Sequence, residues 1–123
     1  MKLLIVDDEK PIVSALRSYF ETKGYSVDAA TEREEAEALL VHGAYACVIL
    51  DLKLTPLSNS DGLEIVRVCH ESNPSTRIIV LSAYGTPELE AEAKARGADA
   101  FAKKPQALAD LAQLVHALTG VAA

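Results

Sequence analysis

Five short apolar runs divide the chain, and a longer segment with helical spacing follows each of them. The runs lie at residues 2–6, 25–30, 45–50, 77–81 and 99–102. Continuous apolar runs of this length are typical of strands that are buried on both faces of a sheet. Strands that alternate with helix-length segments favour a parallel sheet covered by helices on both faces. The pattern therefore predicts a single α/β domain, residues 1–123, with five parallel strands and five helices.

Proline and glycine indicate where the helices begin and end. Pro11 and Pro87 stand at first-turn positions, where a missing N–H removes no helical hydrogen bond. Gly24 and Gly97 close the first and fourth helices. The third helix is expected to run from residue 62 to about residue 71, because Pro74 follows and disfavours helical backbone just before it.

The fourth helix carries few apolar side chains. Between Pro87 and Arg96 its one large apolar residue is Leu89. A helix with so little to bury is weakly anchored. We therefore expect it to be a part that moves or that binds a partner.

Four of the five runs end in residues that suit phosphoryl chemistry. The first run ends in Asp7 and Asp8, the third in Asp51, the fourth in Ser82 and the fifth in Lys104. The second run ends in nothing comparable. Open parallel sheets bind their ligands beyond the carboxyl ends of the strands, so these side chains are expected at one edge.

The chemistry of this set points to a metal-assisted phosphoryl acceptor. Crowded carboxylates repel one another unless a cation neutralises them, and oxygen-only ligands suit Mg²⁺. A carboxylate can attack phosphorus to give an aspartyl phosphate, provided that a metal and a lysine neutralise the phosphoryl oxygens. Each residue alone has an ordinary explanation as a turn, a cap or a solvated charge. Their joint placement at four strand ends favours the functional interpretation.

From end to end the chain resembles a bacterial response-regulator receiver domain, the phosphorylatable module of two-component signalling. The resemblance is carried by Asp7-Asp8, Asp51, Ser82-Ala83 and Lys104-Pro105, in this order and spacing. It implies a flavodoxin-like receiver fold with sheet order 2-1-3-4-5.

The resemblance also implies roles for the acidic residues. Asp51 would be the phospho-acceptor. Asp8 and Asp51 would bind Mg²⁺ directly, together with the backbone carbonyl of Lys53, and Asp7 would act mostly through water. Pro105 is a candidate for a cis peptide bond that would aim the preceding lysine at the site.

Further roles concern the switch and its partners. Lys104 would pair with the phosphoryl group, Ser82 would donate a hydrogen bond to it, and Phe101 would be the switch aromatic. The face built from the fourth helix, fifth strand and fifth helix would then shift. The implied partners are a sensor histidine kinase or histidine phosphotransfer protein and a downstream protein or output domain; a phosphorylation-dependent dimer stays open. The domain would be no enzyme, although it would catalyse its own phosphotransfer and autodephosphorylation.

One segment departs from the family pattern. Residues 54–61, which precede Gly62, form a longer connection than is usual after the acceptor. Their Thr, Pro, Ser and Asn content is typical of turns, so we expect a surface loop at the rim of the site.

Three other classes of protein fit the sequence less well. An aspartate-nucleophile phosphohydrolase would carry D-x-D-x-T, but Lys53 stands where its second Asp should be. A flavodoxin-like cofactor binder would need a Gly/Ser/Thr-rich loop after the first strand, where Asp7, Asp8 and Glu9 would repel a phosphate. Nothing favours a pseudo-receiver, because every position of the pattern is filled.

Composition and charge limit the partners and the cellular location that can be expected. The net charge of −6 argues against direct nucleic-acid binding and against adhesion to anionic membranes. The chain has no apolar run long enough for membrane insertion and no signal-peptide pattern, so a cytoplasmic location is expected. Cys47 and Cys69 are predicted to be small core residues. Whether the domain acts alone or within a longer protein stays open.

Overall fold

The computed structural model describes residues 1–52, 56–83, 85–104 and 107–120, with side chains described in all of these except 56–61. Within them, strands and helices alternate as predicted. The elements are β1 (Lys2–Val6), α1 (Lys10–Thr22), β2 (Ser26–Ala30), α2 (Arg33–His42), β3 (Cys47–Leu52), α3 (Pro56–Ser72), β4 (Arg77–Ser82), α4 (Pro87–Arg96), β5 (Ala100–Lys103) and α5 (Leu108–Thr119).

All five strands join one sheet in the order β2-β1-β3-β4-β5. Every neighbouring pair is parallel. The predicted fold class and strand order are therefore confirmed. Because the strands run in one direction, their carboxyl ends meet at a single edge of the sheet.

The sheet separates two apolar cores, and successive strand residues alternate between them. In β3, Cys47 and Ile49 face the core that α1 and α5 cover. Val48, Leu50 and Leu52 face the core that α2, α3 and α4 cover. This burial on both faces explains why the strands read as continuous apolar runs. Cys47 and Cys69 are buried free thiols, as predicted.

Two strands extend one or two residues beyond their predicted ends. β3 continues to Leu52 and β4 to Ser82, because Asp51 pairs with Leu81 and Leu52 with Ser82 across the two strands. Asp51 and Ser82 are therefore part of the ladder. Their backbone is fixed by it, which positions both side chains more firmly than a loop would.

The surface loop predicted over residues 54–61 is wrong for residues 56–61, because α3 begins at Pro56 instead of residue 62. Proline at the first helical position has its φ angle preset for a helix, and a helix begun there continues through Ser and Asn at a cost below about 0.7 kcal/mol per residue. Gly62 does not mark the helix start. A Cβ atom at this position would overlap the side chain of Leu52, so glycine allows α3 to pack closely on β3.

Helix α4 has the thin anchor that its sequence indicated. It begins at a capping residue, since Thr86 Oγ1 accepts a hydrogen bond of 3.1 Å from the Leu89 N–H. Ala93 is its buried side chain, and Leu89 packs against the core while partly buried. The α3–α4 contact is completed by an ion pair of 3.4 Å between Arg96 and Glu64.

No helix among the described residues has both the length and the apolar character needed to cross a bilayer.

The two-core packing predicts a large difference between a buried and an exposed truncation. Leu50 is 1% exposed in the central strand, whereas Val41 is 61% exposed on α2. Leu50→Ala is expected to lower the free energy of unfolding by about 2–5 kcal/mol, because it leaves a cavity. Val41→Ala should change it by less than about 0.5 kcal/mol. Urea denaturation of both variants tests this, and equal effects would contradict the assignment of the core.

Candidate functional site

The sheet edge gathers the three predicted carboxylates. Asp7 follows β1, Asp8 comes next, and Asp51 lies near the end of β3; their ligand oxygens all lie within 4.8 Å of one another. The Asp7 and Asp51 side chains are only 4% and 6% exposed, and Asp8 is exposed. The Glu9 N–H donates to Asp7 Oδ1 at 2.9 Å, which orients that carboxylate. The donor set fits a small oxygen-preferring divalent cation.

Lys104 inserts its ammonium group between the two buried carboxylates. Its Nζ lies 2.8 Å from Asp51 Oδ1 and 3.3 Å from Asp7 Oδ2. The residue is held in place by its backbone, because the Lys104 N–H donates to the Ser82 carbonyl at 2.8 Å. One cation therefore serves two buried anions, and negative charge remains in excess.

The pKa values of the pair reflect this excess. Burial raises the pKa of Asp51; the hydrogen bond from Lys104 opposes this, and the charge of Asp7 adds to it, so the pKa lies above its ordinary value. Burial alone would lower the pKa of Lys104, but the hydrogen bond to Asp51 and the charges of Asp51 and Asp7 raise it. The two upward shifts are consistent with each other. The Lys104 ammonium has two anionic neighbours that raise its pKa, whereas buried Asp51 has one cationic and one anionic neighbour, whose effects on its pKa oppose each other.

Ser82 ends β4 with a buried and unused hydroxyl. The residue is 1% exposed, and within the described part of the chain its Oγ has no hydrogen-bond partner. A buried polar atom without a partner is costly and usually indicates a ligand or a change of state. Ser82 pairs in register with Leu52, the residue after Asp51. Its position at this sheet edge suits a donor to an oxygen-rich group bound near Asp51.

Phe101 lies on the α4 side of the sheet. It pairs in register with Val80 and is partly buried against the same core. Gly85, just before α4, approaches it so closely that a Cβ there would lie 2.6 Å from Phe101 Cε1. The ring is thus in contact with the segment that leads from Ser82 to α4.

The structure adds residues that the sequence interpretation missed. A cleft of about 120 Å³ opens over Asp51, and Thr31, Glu32 and Arg33 line it beside the three Asp residues. The second run, which the sequence interpretation left without a site residue, is therefore also followed by residues that lie at this edge of the sheet. The sequence offers one signal for these three residues, namely their position directly after β2, the strand that neighbours β1.

Two predicted site features, the Lys53 backbone carbonyl and Pro105, lie outside the described residues. Of the other predicted residues, Asp7, Asp8, Asp51 and Lys104 form one cluster. Ser82 is buried at the end of β4, and Phe101 lies apart, on the α4 side of the sheet. Their roles in catalysis and metal binding stay predictions.

Sequence comparison places the site in a known context. A family model described as the response regulator receiver domain matches residues 3–116. The photosynthetic apparatus regulatory protein RegA of Cereibacter sphaeroides is 33% identical over 116 residues, covering 94% of this chain and 60% of RegA. The transcriptional regulatory protein PmrA of Pectobacterium parmentieri is 35% identical over 118 residues, covering 96% and 52%. The chain thus spans about half the length of the curated relatives it matches.

Solved structures with the same fold agree. A CheY-like receiver domain protein from Methanospirillum hungatei has a TM-score of 0.89 at 26% identity, covering 97% of this chain and 93% of that one. A response regulator from Burkholderia pseudomallei, crystallised with a phosphorylated aspartic acid, a calcium ion and citrate, has a TM-score of 0.85 at 25% identity, covering 97% and 68%. The beryllofluoride-activated NtrC4 receiver domain dimer has 0.85 at 27%, covering 97% and 96%.

The crowded site predicts that neutralising Asp51 stabilises the metal-free protein. Because its pKa is raised in the native state, ionised Asp51 destabilises the fold, and Asp51→Asn should raise the free energy of unfolding at neutral pH. The advantage should shrink as the pH falls through the raised pKa towards 3.8, since the wild-type carboxyl then binds a proton. Urea denaturation in chelator across this pH range measures it.

Asp28 provides a control with the opposite sign. Its pKa is lowered, chiefly by the hydrogen bond from Tyr45 Oη at 2.6 Å and also by Lys2. The ionised form therefore stabilises the fold above the unfolded pKa, and Asp28→Asn should lower the free energy of unfolding at neutral pH. An Asp51→Asn variant no more stable than wild type would contradict the account of charge crowding.

Proposed function

This chain belongs to the response regulator receiver domain family, and we propose that it accepts a phosphoryl group on Asp51 as the switch of a two-component system. The observation that carries the assignment is the buried Asp51 carboxylate, 2.8 Å from the Lys104 ammonium and beside the oxygens of Asp7 and Asp8. As a receiver domain, the chain is a signalling module and not a conventional enzyme.

The proposed reaction is a phosphoryl transfer to a carboxylate. An Asp51 carboxylate oxygen forms a bond to phosphorus, and the bond from phosphorus to the donor's leaving atom breaks. The leaving group, an imidazole nitrogen of phosphohistidine or an acetate oxygen, takes the electron pair. The Lys104 ammonium stays protonated and pairs with a phosphoryl oxygen as charge develops there.

Receiver domains bind a divalent metal, and we assign Mg²⁺ to this acidic cluster. Asp8 and Asp51 would hold it directly with the Lys53 backbone carbonyl, and Asp7 mostly through water. When bound, the metal neutralises phosphoryl oxygens. The excess of carboxylates over ammonium groups at this edge supports the assignment.

The switch is proposed to use the Ser82 hydroxyl, for which the described part of the chain supplies no hydrogen-bond partner. A phosphoryl group on Asp51 gives Ser82 Oγ an acceptor, and its movement frees space into which Phe101 can turn. Gly85 contacts the Phe101 ring and leads into α4, so the ring and this thinly anchored helix respond together. Dimerisation through the shifted face is compatible with the dimeric NtrC4 receiver domain.

The partners are proposed from the family. A sensor histidine kinase or a histidine phosphotransfer protein would supply the phosphoryl group, and a downstream protein or output domain would receive the signal. The autodephosphorylation predicted from the sequence would be catalysed at the same site. A water oxygen would form a bond to phosphorus, the bond from phosphorus to the Asp51 oxygen would break, and inorganic phosphate would leave.

Phosphorylation should depend on Asp51 and on the metal. Acetyl phosphate with Mg²⁺ should add one phosphoryl group to the wild-type protein, located at Asp51 by mass spectrometry after borohydride trapping. Asp51→Asn should show none, and Asp8→Ala should lose most Mg²⁺ binding because it removes a direct ligand. Labelling of another residue with Asp51 unmodified would refute the assignment.

Ser82→Ala should separate stability from signalling. Removing a buried hydroxyl that has no partner among the described residues should leave the free energy of unfolding unchanged or raise it by up to about 1 kcal/mol. Amide chemical-shift changes in α4 and β5 on adding beryllofluoride should become smaller than in wild type.

Thr76→Val is the matched control for the hydroxyl. Thr76 is also buried, but its Oγ1 donates to the Tyr45 carbonyl at 2.7 Å. Its loss should destabilise by about 1 kcal/mol and leave the beryllofluoride response intact. Wild-type shifts in α4 and β5 that persist in Ser82→Ala would remove this hydroxyl from the switch.

A further inference from the structure

The end of β2 contributes a cation to the cleft over Asp51, and nothing in the acceptor chemistry requires it. We propose that Arg33 is a positioning residue for the phosphoryl donor: its guanidinium binds anionic oxygens of the donor at the cleft mouth. It would thereby raise the rate at which dilute donors modify Asp51. This inference rests on the proposed function and adds a residue to it.

The cleft is otherwise acidic. Its other charged lining residues in the described part of the chain are Asp7, Asp8, Glu32 and Asp51. Lys104 reaches Asp51 and Asp7 but does not line this opening. An incoming phosphoryl donor is itself anionic, so the walls repel it, and a single cation at the mouth has a large effect on its local concentration.

Local helix electrostatics does not explain an arginine at this position. Arg33 is the first residue of α2, where the helix dipole favours acids, as Glu34 and Glu35 illustrate. Its Nε donates to Glu37 Oε1 at 2.8 Å, one turn on. That order, with the cation before the anion, is the weaker orientation of a helical ion pair. A residue that breaks a local preference is often retained for function.

The geometry suits binding of an anion from solvent. The Arg33 side chain is 38% exposed, so solvent and ligands reach it. A guanidinium carries five N–H donors in a rigid fork and can bind a phosphoryl oxygen while it keeps partners within the protein, such as Glu37. The positive charge also extends towards α3, where a hydrogen bond from Arg67 and the charges of Arg67, Arg33 and Arg96 lower the pKa of Glu64. The charge of Arg33 thus acts on Glu64 of α3, while its Nε donates a hydrogen bond to Glu37 of α2.

The test compares three variants by phosphorylation kinetics with acetyl phosphate at saturating Mg²⁺. Arg33→Gln should lower the second-order rate constant about three- to tenfold, the scale of one partly solvated charge-assisted hydrogen bond. Arg33→Lys should recover part of the loss. Arg67→Gln is the matched control, because it removes the same charge from an exposed arginine that pairs with Glu64 and Glu71 but does not line the cleft.

Two further readouts distinguish positioning from a structural role. The wild-type rate should fall with rising ionic strength more steeply than the Arg33→Gln rate, because screening removes the attraction that the variant has lost. The melting temperature of Arg33→Gln should stay close to that of wild type, since Arg33 is partly exposed and the buried core is intact.

The outcomes are separable from those of the proposed function. Equal rate constants for Arg33→Gln and either wild type or Arg67→Gln would overturn the role of Arg33 and leave Asp51 as acceptor. An Arg33→Lys variant as slow as Arg33→Gln would also overturn it, whether or not the glutamine variant folds fully. A wild-type protein that acetyl phosphate does not modify at Asp51 would overturn the proposed function itself.

Discussion

Two buried carboxylates that share one ammonium group are the interaction on which the rest of this site depends. Lys104 Nζ reaches both Asp51 and Asp7, whose side chains are almost fully buried. Burial makes their repulsion strong, and one lysine cannot neutralise both. The resting site therefore favours any state that adds a cation or removes a negative charge. This imbalance is the physical reason for proposing a metal-assisted acceptor at this sheet edge.

The parallel sheet makes that arrangement possible. Asp7 and Lys104 are 97 residues apart in the chain, yet their side chains meet because both follow strands that end at the same edge. The ladder fixes the backbone of Asp51 and Ser82, and the Lys104 N–H bonds to the Ser82 carbonyl. The proposed acceptor, the lysine that contacts it and the Ser82 hydroxyl thus sit on one rigid frame, and such preorganisation is what the proposed phosphoryl transfer needs.

The α4 side of the sheet is held by fewer buried contacts. Ser82 Oγ is buried without a partner among the described residues, and α4 buries little beyond Ala93. A new acceptor beside Ser82 acts on a group whose resting state is unsatisfied, and the neighbouring helix has few contacts to lose. At the cleft mouth, Arg33 belongs to a different, exposed part of the molecule, and its proposed role is to attract the donor. In this proposal, buried residues determine the reactivity of the site, and exposed residues determine how a donor reaches it.

The sequence by itself determined the fold class and, through its family resemblance, the strand order. It also determined that Asp7, Asp8, Asp51, Ser82 and Lys104 lie at one edge of the sheet. Buried strands are readable as continuous apolar runs, and in a parallel sheet the residues that end them share an edge. Only the tertiary structure decided that α3 begins at Pro56, because the signal at Gly62 reflects close packing on Leu52, a contact between separate elements. It alone paired Lys104 with two carboxylates, buried the Ser82 hydroxyl with no partner from the described residues and placed Arg33 in the lining of the cleft. Periodicity records which face of an element is buried, whereas these contacts depend on how elements distant in the chain pack together.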